Sequence, residues 1–411
     1  MKISDERLWS TLMVLAEIGK FCEGGVNRQA LSDEEIAAWR QIIDWATEAG
    51  LEISTDPFAN LFLTLPGKDR ELPPLLVGSH IDSQPTGGRF DGILGVLAAL
   101  EVLRSMVDAG LVPQRDIVAV SWMNEEGSRF APGMSGSEAF AGVRAADDIL
   151  ATTDNLMTGT LNDALKYFLG HFSSVPKRDS GFVPSAYLEL HIEQGPELER
   201  SGTDIGVVTG IQGKKTFRVV ISGEAGHAGT VPPGMRRDAI RVFADITSEL
   251  FRTIDAFDER VRFTIGQVIV TPNAPSVIPS RVQFSIDLRH PDNDILERCG
   301  QEIERVLSAQ GGPCDVVLTP LVDAASNVFD TGIRERITEA AAYFGLSAMP
   351  ILSTAGHDAR NIVRLCPGAM IFVPSQNGIS HAPEEWTSQE QVTAGAQVLA
   401  RVVRELAGAW T

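Results

Sequence analysis

Cysteine is scarce in this chain. Its 411 residues carry four, Cys22, Cys299, Cys314 and Cys366. They are scattered and form no Cys-x-x-Cys pair, which argues against a structural zinc knot or a disulfide framework and makes a reducing cytoplasm the expected compartment. No uncharged apolar run approaches the ~20 residues of a membrane-spanning helix. Asp5, Glu6 and Glu17 interrupt the apolar residues of the N-terminus, so no signal peptide is expected. Cations are also in short supply: 35 Lys and Arg stand against 54 Asp and Glu, a formal net charge of −19. Nucleic acids and anionic membranes select clustered basic residues, so neither is expected as a partner. Two nucleophile and phosphate motifs are missing. Gly213-Lys-Lys-Thr216 lacks the upstream glycine of a phosphate-binding loop and precedes a strand. There is no Gly-x-Ser-x-Gly elbow, and Ser135 in Gly133-Met-Ser-Gly136 reads as a loop residue before it reads as a nucleophile.

What is present is the pattern of a globular α/β protein. Hydrophobic residues make up 44% of the chain, and its length predicts two or three domains. Amphipathic helices are expected over residues 4–20 and 33–49, the second opened by a capping box, Ser32-Asp-Glu-Glu35. Strands near Glu52, over Leu61–Leu65 and at Leu75-Leu-Val77 follow, and strands and helices then alternate to about residue 208, the pattern of a mostly parallel sheet. The character changes near Gly210. From there the order is strand, helix, strand, strand, helix, strand, beginning at Lys215–Ser222 and ending at Asp315–Thr319, which predicts a ferredoxin-like insertion. The α/β pattern resumes at about 327. The expectation is a discontinuous catalytic domain, 1–208 plus 327–411, interrupted by a small domain over 209–326.

The chemistry-bearing residues share one context, a buried strand followed by a polar group. His80 and Asp82 end the Leu75 strand, and Asp91 follows in the turn Gly88-Arg-Phe-Asp-Gly92. Glu125 and Glu126 follow the strand Ile117–Trp122, His191 follows Tyr187–Leu190, and His381 lies beyond Ala369–Val373. The carboxyl ends of strands are where an open α/β sheet places its site. A hydrolytic two-metal centre needs a shared carboxylate, further N/O ligands for each ion and a carboxylate base. His80 and His191 can serve one ion, Glu126 and His381 the other, and Asp91 can bridge. Asp82 can accept the free imidazole N–H of His80. Glu125, beside a ligand without being one, is the candidate general base. Taken singly, each residue has a plain structural role open to it: Asp91 can cap the Ile93 helix, and Glu125-Glu126 can be a solvated turn. His227, in Gly223-Glu-Ala-Gly-His-Ala-Gly-Thr230, is either an incidental turn residue or a donor to a substrate oxyanion. Arg289 either lies along the surface or binds a substrate carboxylate with two bonds. Gly356-His-Asp358 is either an anion-binding nest or the start of a helix.

With these residues quoted, the chain resembles the di-zinc aminoacylase/carboxypeptidase-like hydrolases, and within them the amidase–hydantoinase–carbamoylase branch. That branch includes N-carbamoyl-L-amino acid hydrolases, allantoate amidohydrolases and β-ureidopropionases. The resemblance covers nearly the whole chain and rests on Gly78-Ser-His-Ile-Asp82, Gly87-Gly-Arg-Phe-Asp-Gly92, Asn124-Glu-Glu-Gly-Ser-Arg-Phe130, His191-Ile-Glu-Gln-Gly-Pro196, His227-Ala-Gly-Thr230, Ser285-Ile-Asp-Leu-Arg289, Gly356-His-Asp358 and Ser380-His381. It implies that His80, Asp91, Glu126, His191 and His381 ligate two divalent ions, with Asp91 bridging and Glu125 as base. The ions implied are zinc first, with manganese, cobalt or nickel as substitutes. It implies a homodimer through the inserted lid domain, with His227 reaching the partner's site and Arg289 holding the substrate carboxylate. Gln194 and Gly356 fall in pocket-lining motifs. Two departures bear on substrate. The family often has Asn thirteen residues before the carboxylate-binding Arg, where this chain has Ser276, and the Gly-Gln-Arg-Arg entry of allantoate enzymes is replaced by Gly213-Lys-Lys-Thr216.

The resulting expectation is a metal-dependent amidohydrolase cleaving a linear C–N bond, with an N-carbamoyl-L-amino acid as preferred substrate. Allantoate or ureidoglycolate, and N-acyl-amino acids or dipeptides, are alternatives on the same scaffold. A non-catalytic metal- or amino-acid-binding protein is the alternative from another class, and a retained Glu125 argues against it.

Overall fold

The structure, a computed structural model, describes residues 1–155 and 159–409. It divides into two compact units, Met1–Gly210 with Val328–Thr411, and Ile211–Asn327.

The first unit is built on a mixed sheet. Its four central strands run parallel, in the spatial order Ile117–Trp122, Leu75–His80, Ala186–Ile192, Gly368–Val373. Every residue of these strands is buried. That explains their near-continuous apolar sequences, since strands covered on both faces do not alternate. Beyond this centre the sheet turns antiparallel. Leu61–Leu65 pairs antiparallel with Ile117–Trp122, Glu52–Thr55 with Leu61–Leu65, and Ile205–Ile211 with Gly368–Val373. The Glu52 and Leu61 strands are joined by a short turn, which permits only an antiparallel pair.

The helix Ile93–Asp108 packs on this sheet and is itself covered by the helices Asp5–Ala16 and Gln389–Leu406. Its buried residues occupy nearly every face, as expected of a helix enclosed on all sides. One of its charges is buried: Glu101 is 2% exposed and takes the Arg7 guanidinium at 2.6 Å. The helix Asp33–Glu48 starts as expected, but its cap differs from the box. Ser32 Oγ accepts the Glu35 N–H, whereas the Glu35 carboxylate reaches past Ser32 to the N–H of Leu31 at 2.5 Å. Leu31 has a φ of 59°, and this left-handed turn aims its N–H at the buried Glu35. The first helix ends at Ala16, short of the expected residue 20.

The second unit has four strands, Gly213–Ser222, Arg262–Thr271, Arg281–His290 and Asp315–Ala324. Their spatial order is fourth, first, third, second, and every pairing is antiparallel. The helices Ala239–Ile254 and Asn293–Gln310 cover one face, burying Val219, Ile221, Phe284, Ile286, Ile246 and Ile303 in a shared core. This is the ferredoxin-like arrangement. The first of these helices begins at Ala239, where Asp238 caps it by accepting the N–H groups of Ile240 and Arg241. A two-residue ribbon, Gly226–His227 against Val277–Ile278, stands apart from this sheet.

The enclosed helix makes a stability prediction. Leu97→Ala, at a position 1% exposed, should destabilise the first unit by about 2–5 kcal/mol through lost transfer energy and a cavity. Urea unfolding followed by circular dichroism checks it, and a change under ~1 kcal/mol would mean that the site collapses freely.

Candidate metal centre

The parallel order of the four central strands sets their carboxyl ends side by side, and the side chains of interest lie there. His80 is the last residue of its strand and His191 the penultimate residue of its own. Asp91 follows in the turn before the Ile93 helix. Gly92 after it has φ 67°, and a Cβ there would stand 2.3 Å from the His80 ring, so only glycine lets the turn pass this close. Asn124, Gln194 and His381 adopt φ values of 55°, 58° and 57°. Such left-handed residues cost energy unless their surroundings fix them, and they gather at functional sites. Asn124 is fixed by donating to Phe130 O at 2.7 Å and to Ser135 Oγ at 2.8 Å. Its bend is what turns Glu125 and Glu126 back over the strand ends.

Two ligand groups result, and they share one residue. His80, Asp91 and His191 offer atoms within 4.8 Å of one another, and so do Asp91, Glu126 and His381. Asp91 divides its oxygens between them. Oδ1 faces His191 Nε2 at 3.1 Å and His80 Nε2 at 3.8 Å, while Oδ2 faces His381 Nε2 at 3.0 Å. Glu126 Oε2 lies 3.4 Å from the same His381 nitrogen. The rings are oriented from behind by backbone carbonyls, His80 Nδ1 against Asp82 O at 2.9 Å and His191 Nδ1 against Ile192 O at 2.8 Å. This leaves both Nε2 atoms aimed at Asp91.

Asp82 departs from the expected part. Its carbonyl, rather than its carboxylate, is the nearer partner of His80, with Oδ1 at 3.5 Å. The carboxylate instead accepts the N–H groups of Glu125 at 3.1 Å and Glu126 at 3.2 Å. One side chain thereby positions the loop of both glutamates. Glu125 places Oε2 3.6 Å from His80 Nε2, next to the first ligand group and outside both.

The electrostatics follow from crowding charges away from water. Burial pushes Glu125 well above the usual carboxylate range; His80 pulls it down, and Asp358, Glu126 and Asp82 push it up again. Burial and Asp91 raise Glu126 to about 7. Burial opposes charge on His80, but Glu125, Asp82 and Asp91 outweigh it and hold the ring well above the usual histidine range. The bond to Asp91 lifts His381 to about 9, against partial burial. Burial disfavours charge on Asp91 as well, yet His191 and His381 hold its carboxyl well below the usual range.

The donor set fits divalent cations. Imidazole nitrogens and carboxylate oxygens face one another at 3.0–3.8 Å, contacts that need a proton or a cation between them. Glu126 Oε1 is buried and takes part in no hydrogen bond, an orphaned acceptor suited to a cation. A third group, Glu189, His191 and His357, is already committed. Glu189 accepts from Ser79 at 2.8 Å, Tyr187 at 3.0 Å and the Ala359 N–H at 3.2 Å. His357 Nε2 meets Ser353 Oγ at 3.0 Å, and burial holds that ring well below the usual histidine range.

Several partners were not singled out in the sequence. Gln84 Nε2 donates to Glu126 Oε2 at 2.8 Å. Glu385 supports the Asp91 turn by accepting the N–H groups of Phe90 and Asp91, and Glu189 lies near His191 and His357. Gln194, expected only to line a pocket, donates from Nε2 to Asp91 Oδ2 at 2.8 Å and lies 3.3 Å from His381 Nε2. Gly356 makes close contact with Met134, whose methyl carbon lies 2.5 Å from where a Cβ would stand. Its neighbour Asp358 begins the short helix Ala359–Ile362, the plainer of the two readings of that segment. A separate cavity of about 560 Å³ lined by Glu52, Arg70, Asp116 and Arg178 lies at the amino end of the Ile117 strand, where the metal ligands are not.

In the second unit, His227 is exposed and its Nδ1 accepts the Gly229 N–H at 3.0 Å. In a neutral ring that leaves Nε2 as the donor. Ser276 adjoins it, its carbonyl accepting the Ala228 N–H at 3.0 Å. Arg289 is half-buried and bonded to Asp287 at 2.8 Å, and Lys214 reaches the same carboxylate at 3.3 Å.

The model of peptidase family M20/M25/M40 matches residues 76–405. An N-carbamoyl-L-amino-acid amidohydrolase of Rhizobium meliloti is 38% identical over 413 residues, covering 99% of this chain and 97% of that protein. An allantoate amidohydrolase of Bacillus subtilis is 35% identical, covering 96% and 95%. The crystal structure of an amidase of the hydantoinase/carbamoylase family from Burkholderia vietnamiensis superposes with a TM-score of 0.89 at 38% identity, covering 99% and 98%.

The raised histidine makes a pH prediction. At pH 7 His381, with its pKa near 9, carries a proton that an entering cation must displace. Affinity of the Asp91–Glu126–His381 group for zinc should therefore rise by at least about tenfold per pH unit just above 7 and more gently towards 9, with release of about one proton from His381 and, near pH 7, part of another from Glu126. Calorimetry in buffers of different ionisation enthalpy checks it, and a pH-independent affinity would remove His381 from the ligands.

Proposed function

Given that the chain belongs to peptidase family M20/M25/M40 and is a metal-dependent amidohydrolase, we propose that it hydrolyses N-carbamoyl-L-amino acids to the L-amino acid, carbon dioxide and ammonia. The observation that carries the hydrolytic reading is the sharing of Asp91 between two ligand groups with Glu125 alongside. His80, Asp91 and His191 would hold one ion, and Asp91, Glu126 and His381 the other. Mixed imidazole and carboxylate donors favour zinc, with manganese, cobalt or nickel as substitutes. Ions so bound supply Lewis acidity, which polarises the scissile carbonyl and makes water a nucleophile at neutral pH.

The chain's own residues do the rest. Glu125, raised by burial, takes the proton of the attacking water and later delivers it to the leaving nitrogen. His227, with Nε2 as its donor, stabilises the oxyanion; we assign it to the site of a second copy of the chain. Arg289 binds the substrate carboxylate, with Ser276 and Gln194 beside the substrate. Lys214 supports this reading. Arg289 and Asp287 alone would be neutral, and the lysine on the same carboxylate restores a net positive charge. The replacement of the allantoate-type Gly-Gln-Arg-Arg by Gly213-Lys-Lys-Thr216, together with a carbamoyl-amino-acid relative at 38% identity, favours the carbamoyl substrate. A cytoplasmic setting is in keeping with four free cysteines, and among the described residues no helix is long and apolar enough to cross a membrane.

A homodimer through the second unit is supported by its sheet. Arg262–Thr271 is an edge strand, paired on one side only, and exposes Val268 and Ile269 at 45% and 43%. Unprotected apolar edges invite a second strand.

Two experiments test these assignments. Zinc-loaded protein offered N-carbamoyl-L-amino acids, allantoate and N-acetyl-amino acids should release ammonia and free amino acid in equal amounts from the first group. Glu125→Gln should lower kcat by at least ~10²-fold while both ions remain. Turnover on allantoate alone would move the substrate, and loss of an ion in the variant would make Glu125 a ligand. In sedimentation the protein should be a dimer, and Val268→Lys should yield monomers with reduced kcat. A monomeric wild type with full activity would remove His227 from the partner's site.

A further inference from the structure

We propose that Glu385 is a positioning residue that keeps the two ligand groups in register, an inference that rests on the two-ion reading above. Glu385 lies between His381 and the helix Gln389–Leu406 and is 1% exposed. Its Oε1 accepts the N–H of Phe90 at 2.9 Å and of Asp91 at 3.1 Å, and its Oε2 accepts the hydroxyl of Ser380 at 2.9 Å. Ser380 immediately precedes His381. One buried carboxylate thus joins the backbone of the shared ligand Asp91 to the side chain of Ser380, the residue before a ligand belonging to one group only.

The surroundings make this joint rigid. A Cβ at Gly88 would lie 2.4 Å from both Cβ and Oε1 of Glu385, so the Asp91 turn passes directly over the carboxylate. Trp386 beside it packs edge-on against Phe90 and Trp9, with ring centroids 5.5 and 5.6 Å apart. A carboxylate buried on amides and a hydroxyl is costly where an apolar side chain would fill the space. The hydrogen-bond pattern says what it provides.

The hydroxyl of Ser380 has a second consequence. It lies 2.9 Å from Glu385 Oε2 and 3.2 Å from Asp91 Oδ2, and it has one proton to donate. Asp91 Oδ2 already accepts from Gln194 Nε2 at 2.8 Å, and with the Ser380 proton donated to Glu385 its other lone pair stays open for a cation. Without Glu385 the proton turns to Asp91 and competes with the cation there. The ion held by Asp91 Oδ2, Glu126 and His381 should therefore depend on Glu385, and the ion on the Oδ1 side should depend on it much less.

Metal-stripped full-length protein titrated with zinc against a chromophoric chelator measures both affinities without recourse to activity. Wild type should take up two ions. Glu385→Ala should weaken one of them by about 10–100-fold and spare the other. Glu385→Gln, whose amide oxygen can accept the same two N–H groups, should weaken the same ion by a smaller factor, and it carries the test if the alanine protein does not fold. Unchanged affinities in the variants would overturn the inference, as would equal weakening of both ions with a lowered melting temperature. A wild type that binds a single ion would overturn the two-ion reading itself, and that result appears before any substitution is made.

Discussion

A single carboxylate with its two oxygens facing opposite ways is the constraint on which the first unit depends. Asp91 must stand within reach of His80 and His191 on one side and of His381 and Glu126 on the other. The parallel strands bring their ends together, the tight turn at Gly92 lets Asp91 sit against the His80 ring, and the bends at Asn124 and His381 fold two loops over the sheet. Each of these devices supplies one wall of the same small volume. The fold here reads as a means of holding four side chains from four separated stretches around one acid.

That crowding has an energetic side. Glu125, Glu126, Glu189, Asp358 and Glu385 are all pushed upward by burial. Together they form a reservoir of negative charge that the folded chain can relieve by taking up protons or cations. An ion that binds only the folded form adds to its stability by mass action. The same residues that would perform the reaction therefore also couple stability to metal and to pH.

Much of this was legible in the sequence because it is local. A hydrophobic run followed by His, Asp or Glu needs only a few neighbouring residues to be recognised, and so does the change to βαββαβ order in the second unit. What escaped depends on distant partners. Glu385 meets Phe90 across 295 positions, and Gln84 meets Glu126 across 42. The mostly parallel centre is legible from the alternation of strands and helices, but hydrophobic patterning does not mark the antiparallel flanks. Proximity in sequence pairs Asp82 with His80, whereas the bend at Asn124 delivers two amides to its carboxylate. Spacing makes Glu35 half of a capping box, and the left-handed turn at Leu31 supplies it with a different amide.

The left-handed residues around the centre have a meaning for the way this chain can change. At Asn124, Gln194 and His381 the backbone conformation favours glycine or asparagine, while the contacts of Gln194 and His381 with Asp91 require longer, specific side chains. Local comfort and chemistry pull in different directions at those two positions. A search for heat-tolerant descendants would find glycine attractive there and lose the ligand geometry in accepting it. Adaptation towards greater robustness is thus channelled away from the strand ends and into the enclosed helix and the outer flanks of the sheet, where no such conflict exists.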